Sequence, residues 1–307
     1  MQHNTKIYCQ HILRVLSQSQ RRILSTWRAK YLLASLLPGE RSQDLKNLAV
    51  TSILPGALDR KTARVLDAMY REGMVQPVDR GHCLFTVTAP YAEHVSLDER
   101  ELAMEANPYA ALSHVSALVY WGATRLVPKR TLLIVPRTWR TCGVQPVGVA
   151  PGDELGLALP DPSRPESLGR FDYVWTSVKN EWYFGFEERG WLRVMTLERT
   201  LLDGLREPER CGGIEEVLRA FSTSKLRINV SRLVEYVNTF NLQVLRQRAG
   251  FVLARLGIAH PEFSKWRREA SRGGSSRLLA SAPFASTHDP EWAISINCPI
   301  TALEEDV

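Results

Sequence analysis

Residues 58–88, LDRKTARVLDAMYREGMVQPVDRGHCLFTVT, allow few folds. Leu58, Thr62, Leu66, Met69 and Tyr70 recur at helical spacing and predict one buried stripe, with Asp59 as N-cap. Arg60, Lys61, Arg64 and Arg71 fall off that stripe and face outward. Gly73 can end the helix because it lacks a Cβ. Met74–Val78 and Cys83–Thr88 then read as two short strands joined by the tight turn Asp79-Arg80-Gly81-His82. Helix, strand, basic turn, strand is the winged-helix order, in which the helix enters a DNA major groove and the wing reaches phosphate or the minor groove. The other reading is an ordinary helix and hairpin with a solvated charged face.

Charge placement favours the first reading. Residues 1–90 hold 13 Lys+Arg against 6 Asp+Glu, a net +7, and the remainder holds 26 against 27, a net −1. A polyanion partner is expected at the N-terminal end alone. The candidate DNA-binding residues are Arg60, Lys61, Thr62, Arg64, Arg71, Arg80 and His82. Arg60, Lys61 and Arg64 would meet base edges or phosphates. Thr62 is expected to pack, with its hydroxyl near the backbone. Arg80 and His82 would serve the wing.

Upstream, residues 6–37 carry apolar residues at helical intervals, broken by Ser17-Gln18-Ser19-Gln20 and stopped by Pro38-Gly39. Arg21, Arg22, Arg28 and Lys30 read as a solvated helix face that could flank DNA. A short helix over Gln43–Ala49 and a turn over Thr51–Ala57 lead into the central helix. Thr88–Arg100 reads as a linker, so the expected domains are 1–90 and 91–307.

Beyond it, Leu102–Val119 is helical in pattern, interrupted where Asn107 could cap a helix starting at Pro108 and ended by Gly122. Leu132–Val135 and Val144–Val149 read as strands, and Pro151–Arg170 as loop. Asp172–Val178, Glu181–Glu187 and Trp191–Met195 read as an antiparallel meander. Helices come after it: one capped by Thr196 and running to Arg206, one opened by Gly212-Gly213, then Ser231–Phe240, Leu242–Leu256 and Pro261–Ala270. Arg277–Ala280 and Glu291–Asn297 close the chain as strands. The fold class is α+β: an N-terminal winged helix-turn-helix followed by a larger mixed α/β domain.

Enzyme signatures are weak. Gly273–Ser276 is followed by Arg277–Ala285 without the carboxylates of a nucleotidyltransferase, no Glu-x-Lys occurs after Asp172, and there is no Walker loop or GxGxxG. Glu198, Arg199, Asp203 and His114 read as packing residues rather than a catalytic set. The remaining enzyme reading, a DNA-targeting activity, would need Glu198 or Asp203 for a metal-dependent reaction. Five scattered cysteines with no CxxC argue against disulfides and zinc, and no cofactor is expected. No apolar run approaches a membrane span, and arginines interrupt any signal-peptide core, so a cytoplasmic protein is expected.

Four stretches carry a family resemblance. NPYAALSHVSALVYWGAT (107–124), VMTLERTLLDGLREPERCGGIEEVLRAF (194–221), LVEYVNTFNLQVLRQRAGFVLARLG (233–257) and WAISIN (292–297) resemble, in order, blocks of the AbiEi-type antitoxins. Leu197 stands where that family often has proline, and Ala249 where leucine is usual. The resemblance implies a repressor of its own operon. The expected partner is double-stranded DNA, and an operator of inverted repeats would take two copies, as a dimer or as cooperating monomers. It also implies a C-terminal domain that counters a nucleotidyltransferase-type toxin. The alternative is a stand-alone regulator of a phage-defence or mobile-element locus, without a toxin.

Overall fold

The computed structural model describes residues 3–36, 55–79, 81, 84–88, 97–149 and 161–304. Helix α1 (His3–Gln18) buries Tyr8, Cys9, Ile12 and Leu16 along one face. It ends in a Schellman motif, with Gln20 in the left-handed region (φ 53°) and Arg21 N–H donating to Leu16 O. The expected break at 17–20 is therefore real. The chain beyond the break first forms a strand: β1 (Ile23–Ser25), fully buried, precedes α2 (Thr26–Ser35), whose N-cap Ser25 accepts from Arg28 N–H. The expected helix over Gln43–Ala49 lies outside the described residues.

Helix α3 (Pro55–Arg71) starts earlier than expected. Pro55-Gly56-Ala57 are its first helical residues, not a turn, since Pro suits a first helical position. Asp59 is therefore inside the helix rather than its cap, and Lys30 Nζ donates to its Oδ1 at 2.6 Å. Leu58, Thr62, Val65, Leu66 and Met69 are buried, whereas Tyr70 is 52% exposed and leaves the expected stripe. Gly73 (φ 70°) closes the helix, with Met74 N–H on Met69 O. Strands β2 (Val75–Asp79) and β3 (Leu84–Val87) pair antiparallel, and β3 pairs antiparallel with β1, giving the order β1-β3-β2. Pro77 sits in the edge strand, where a missing N–H costs no ladder bond.

Helix α4 (Glu99–Ala106) is capped by Asp98. Asn107 closes it as C-cap, and its Oδ1 accepts from Tyr109 N–H, so the expected helix start at Pro108 is not formed. Instead β4 (Ala111–Leu112) leads into α5 (His114–Tyr120), which Gly122 (φ 61°) ends as expected. Strand β5 (Thr131–Pro136) matches the apolar run, but Val144–Val149 forms no strand. Then come β6 (Ser167–Leu168), β7 (Phe171–Val178), β8 (Phe186–Arg189) and β9 (Leu192–Met195). These are not a simple meander, because β9 pairs parallel with β4 (Leu112↔Val194), while β4 and β5 are antiparallel. A single 3-10 turn, Asn180–Trp182, replaces the first part of the strand expected over 181–187.

The helices of the C-terminal half fall close to where the sequence puts them: α6 (Leu197–Arg206), α7 (Ile214–Ser224), α8 (Val230–Phe240), α9 (Gln243–Arg255) and α10 (Phe263–Gly273). Thr196 caps α6 by accepting from Arg199 N–H. Short strands β10 (Ser276–Arg277), β11 (His288–Asp289) and β12 (Ile294–Ser295) finish the fold, with β12 central.

Two compact units result. One comprises residues 1–110, 135–180 and 188–193, the other 111–134, 181–187 and 194–307. The expected division at 90/91 falls within residues 89–96, which are outside the described residues.

Candidate nucleic-acid interface

In the first unit, α3 separates its residues by face. Arg60, Arg64, Asp67 and Arg71 form an exposed row at i, i+4, i+7 and i+11. Arg71 is tied to Asp67 at 2.8 Å, one turn back. Arg60 and Arg64 have no ion-pair or hydrogen-bond partner among the described residues, so two guanidiniums stand free near the start of the helix. Lys61 is held elsewhere: its Nζ donates to Tyr8 Oη at 2.7 Å and lies 3.9 Å from that ring's centroid. Thr62 is buried and donates its hydroxyl to Leu58 O at 2.8 Å, so it packs and does not face a ligand. Arg80 and His82 lie outside the described residues.

The upstream arginines correct the sequence reading. Arg21 and Arg28 are not a solvated face but are 6% and 2% exposed. Both ion-pair with Glu105, Arg28 Nε at 3.1 Å, and Ser25 Oγ donates to the other carboxylate oxygen at 2.6 Å. Arg28 also donates to Val147 O at 2.6 Å and to Gly148 O, so the segment expected as a strand offers its carbonyls to a guanidinium. Burial alone would raise the Glu105 carboxyl, but Arg28 and Arg21 outweigh it and hold Glu105 below the usual carboxylate range. Burial lowers Arg28 to about 10, which leaves it charged at neutral pH. Glu101 accepts from the backbone N–H of Arg22 and Ile23 at 2.7 and 3.0 Å. Part of the +7 of residues 1–90 is thus internal charge neutralised from α4. The sequence signal for this was the pair Glu101 and Glu105, one turn apart on a helix.

In the second unit, Glu198, Arg199, Asp203 and His114 are all buried. Arg199 Nε meets Asp203 at 3.0 Å and Nη1 donates to Trp182 O and Phe184 O, with the guanidinium against the rings of Phe184 and Phe240. Glu198 accepts from Asn229 N–H at 2.8 Å, at the start of α8. His114 adopts a left-handed backbone (φ 50°), with Nδ1 2.9 Å from Ser113 Oγ and Nε2 3.7 Å from Glu207. Burial lowers its imidazole, against the pull of Asp203 and Glu207. These contacts tie α5, α6 and α8 to their neighbours. Among the described residues no group of three or more His, Cys, Asp and Glu could hold a metal ion, and no helix is long and apolar enough to cross a membrane. The described cysteines form no disulfide.

No family model and no curated protein matches the chain. Among solved structures, the RV2827C protein from Mycobacterium tuberculosis is similar in fold, with a TM-score of 0.50 at 12% sequence identity, over 97% of this chain and 94% of that one. The likeness is one of mixed α/β architecture.

Proposed function

We propose that α1 to β3 form a winged helix-turn-helix, and that the chain is a DNA-binding transcriptional autorepressor and the antitoxin of an AbiE-like toxin–antitoxin module. One observation carries the DNA-binding part. Among the described residues, the order α1-β1-α2-α3-β2-β3 with sheet order β1-β3-β2 sets α3 before a hairpin, and the exposed row of α3 offers two arginines with no partner there. Arg60 and Arg64 meet base edges or phosphates in the major groove, and Arg71 lies farther along the same row. Tyr8 and the buried Thr62 fix the helix from behind.

The antitoxin part rests on the family resemblance. Its support is that the resembling segments meet one another in the second unit. Gly250 of RAG packs on Trp292 of WAISIN, and Arg248 donates to Leu205 O at the end of the ERT helix. In this reading the chain is not an enzyme, and Glu198, Arg199, Asp203 and His114 hold its helices together.

Footprinting on the intergenic region upstream of its own operon tests the proposal, with protection of inverted repeats expected. Replacing Arg60 and Arg64 together by alanine lowers affinity at least tenfold, and reduces the log–log salt slope by about one for each phosphate no longer neutralised. Unchanged affinity and slope reject the assignment.

A further inference from the structure

One aromatic side chain of α3 is exposed against the expectation from its spacing: Tyr70, at 52%. It forms one wall of a dish of about 300 Å³. Among the described residues, Ala63, Leu66 and Asp67 of α3, Thr26 at the start of α2 and Phe85 of β3 line the rest. All of them belong to the first unit. The dish and the arginine row are adjoining strips of one helix. Ala63, Asp67 and Tyr70 lie at i, i+4 and i+7 and are exposed, and Asp67 is also a member of the row of Arg60, Arg64 and Arg71. The buried Leu66 and the half-buried Phe85 lie beside them, so carbon dominates the lining. The one charged side chain in that lining is the Asp67 carboxylate, tied to Arg71 at 2.8 Å.

We propose that this dish receives the C5 methyl groups of thymine, which makes Ala63, Tyr70 and Phe85 determinants of operator sequence. The inference rests on the DNA-binding reading of α3 and names what the apolar flank of that helix recognises. A polyanion drawn to Arg60 and Arg64 in its major groove brings base edges alongside the neighbouring strip of the same helix. Of the groups that mark base identity on those edges, the thymine methyl is the apolar one, and the others are hydrogen-bond donors and acceptors. Phosphate fits less well, because the described lining offers it no cation and presents the Asp67 carboxylate instead. The arginines hold the duplex whatever its sequence, whereas the dish distinguishes a base that carries a methyl from one that does not. Each methyl moved from water into the dish strengthens binding about fourfold.

In the test, the full chain selects duplexes from a random-sequence library, and the selected site is resynthesised with deoxyuridine in place of one thymidine at a time. Deoxyuridine keeps the hydrogen-bonding edges and lacks only the methyl. At one position or at two neighbouring ones, the replacement weakens binding by the wild-type chain about fourfold. Tyr70→Ala no longer distinguishes the two duplexes at those positions, and Tyr70→Phe keeps the wild-type ratio, in variants whose thermal melts match the wild type. A wild-type chain that binds its selected site equally well without any of the methyls, or a Tyr70→Ala chain that keeps the wild-type ratio, overturns the assignment and leaves the DNA-binding reading standing. A wild-type chain that retains no duplex overturns both. A free Tyr70→Ala chain that sediments as a smaller species than the wild type gives the dish to a second copy of the chain and overturns the proposal.

Discussion

Glu105 joins α4 to β1 and α2 in the first unit. Its carboxylate is wholly buried between Arg21 and Arg28 and ion-pairs with both. Glu105→Gln keeps the shape and removes the charge that both buried guanidiniums meet. Breaking a buried pair from one side costs about 3–5 kcal/mol, so urea unfolding at neutral pH should show a loss of that order. The pH dependence has a defined sign. The folded-state value of Glu105 is below its ordinary 4.5, so its contribution is complete above that value and is lost as pH falls through the depressed one. The variant lacks this component, and its stability should be flatter across the acid range than the wild type's. Composition could not reveal this network. Arg21 and Arg28 look like any other basic residues of a DNA-binding segment, and their partner lies more than 75 positions away. Asp59 misled for a local reason: a cap residue one turn inside a helix looks the same in sequence, and the Pro55 start outweighed it.

Elements were legible where a local rule decides them. Thr196, Gly73 and Gly122 end or begin helices by capping chemistry, and the amphipathic helices from α6 to α9 arise from spacing. Strands defined by distant partners were not. Ile23–Ser25 is too short to show a period of two, and only its pairing with β3 makes it a strand. Val144–Val149 has the composition of a strand, but its carbonyls are drawn to Arg28 and Arg193. In α9, Gly250 is required by a close approach and not by its own conformation, since a Cβ there would overlap the indole of buried Trp292. Gly250→Ala would improve an isolated helix by roughly 1 kcal/mol. Here it should instead destabilise, by about 1–3 kcal/mol or more, as an overpacked core does. A thermal melt that rises for this variant would show that Trp292 can move aside.

For the whole molecule, the charge asymmetry in sequence is coarser than the surface that it suggested. Some N-terminal cations are internal, while Arg125, Lys129, Arg130 and Lys225, in the half whose net charge is near zero, have no partner among the described residues. Sums over long stretches hide both facts, because a neutral total permits local segregation. Arg60→Ala with Arg64→Ala should lose the proposed operator binding in electrophoretic shifts while its thermal melt matches the wild type's, because both side chains are exposed. A lowered melt would point to a loss of folding instead.

The first unit is assembled from three separate stretches of chain, ending at residue 193. Translation therefore sets a timetable for it. At roughly 5–20 residues per second, several seconds pass between the emergence of residue 110 and that of residue 193. During that interval Arg28 lacks the carbonyls of Val147 and Gly148 until the ribosome has delivered them. A nascent chain stalled near residue 110 has α3 in hand but not the whole of the unit that supports it. The proposed operator binding should thus begin late in synthesis, after most of the polypeptide has left the exit tunnel.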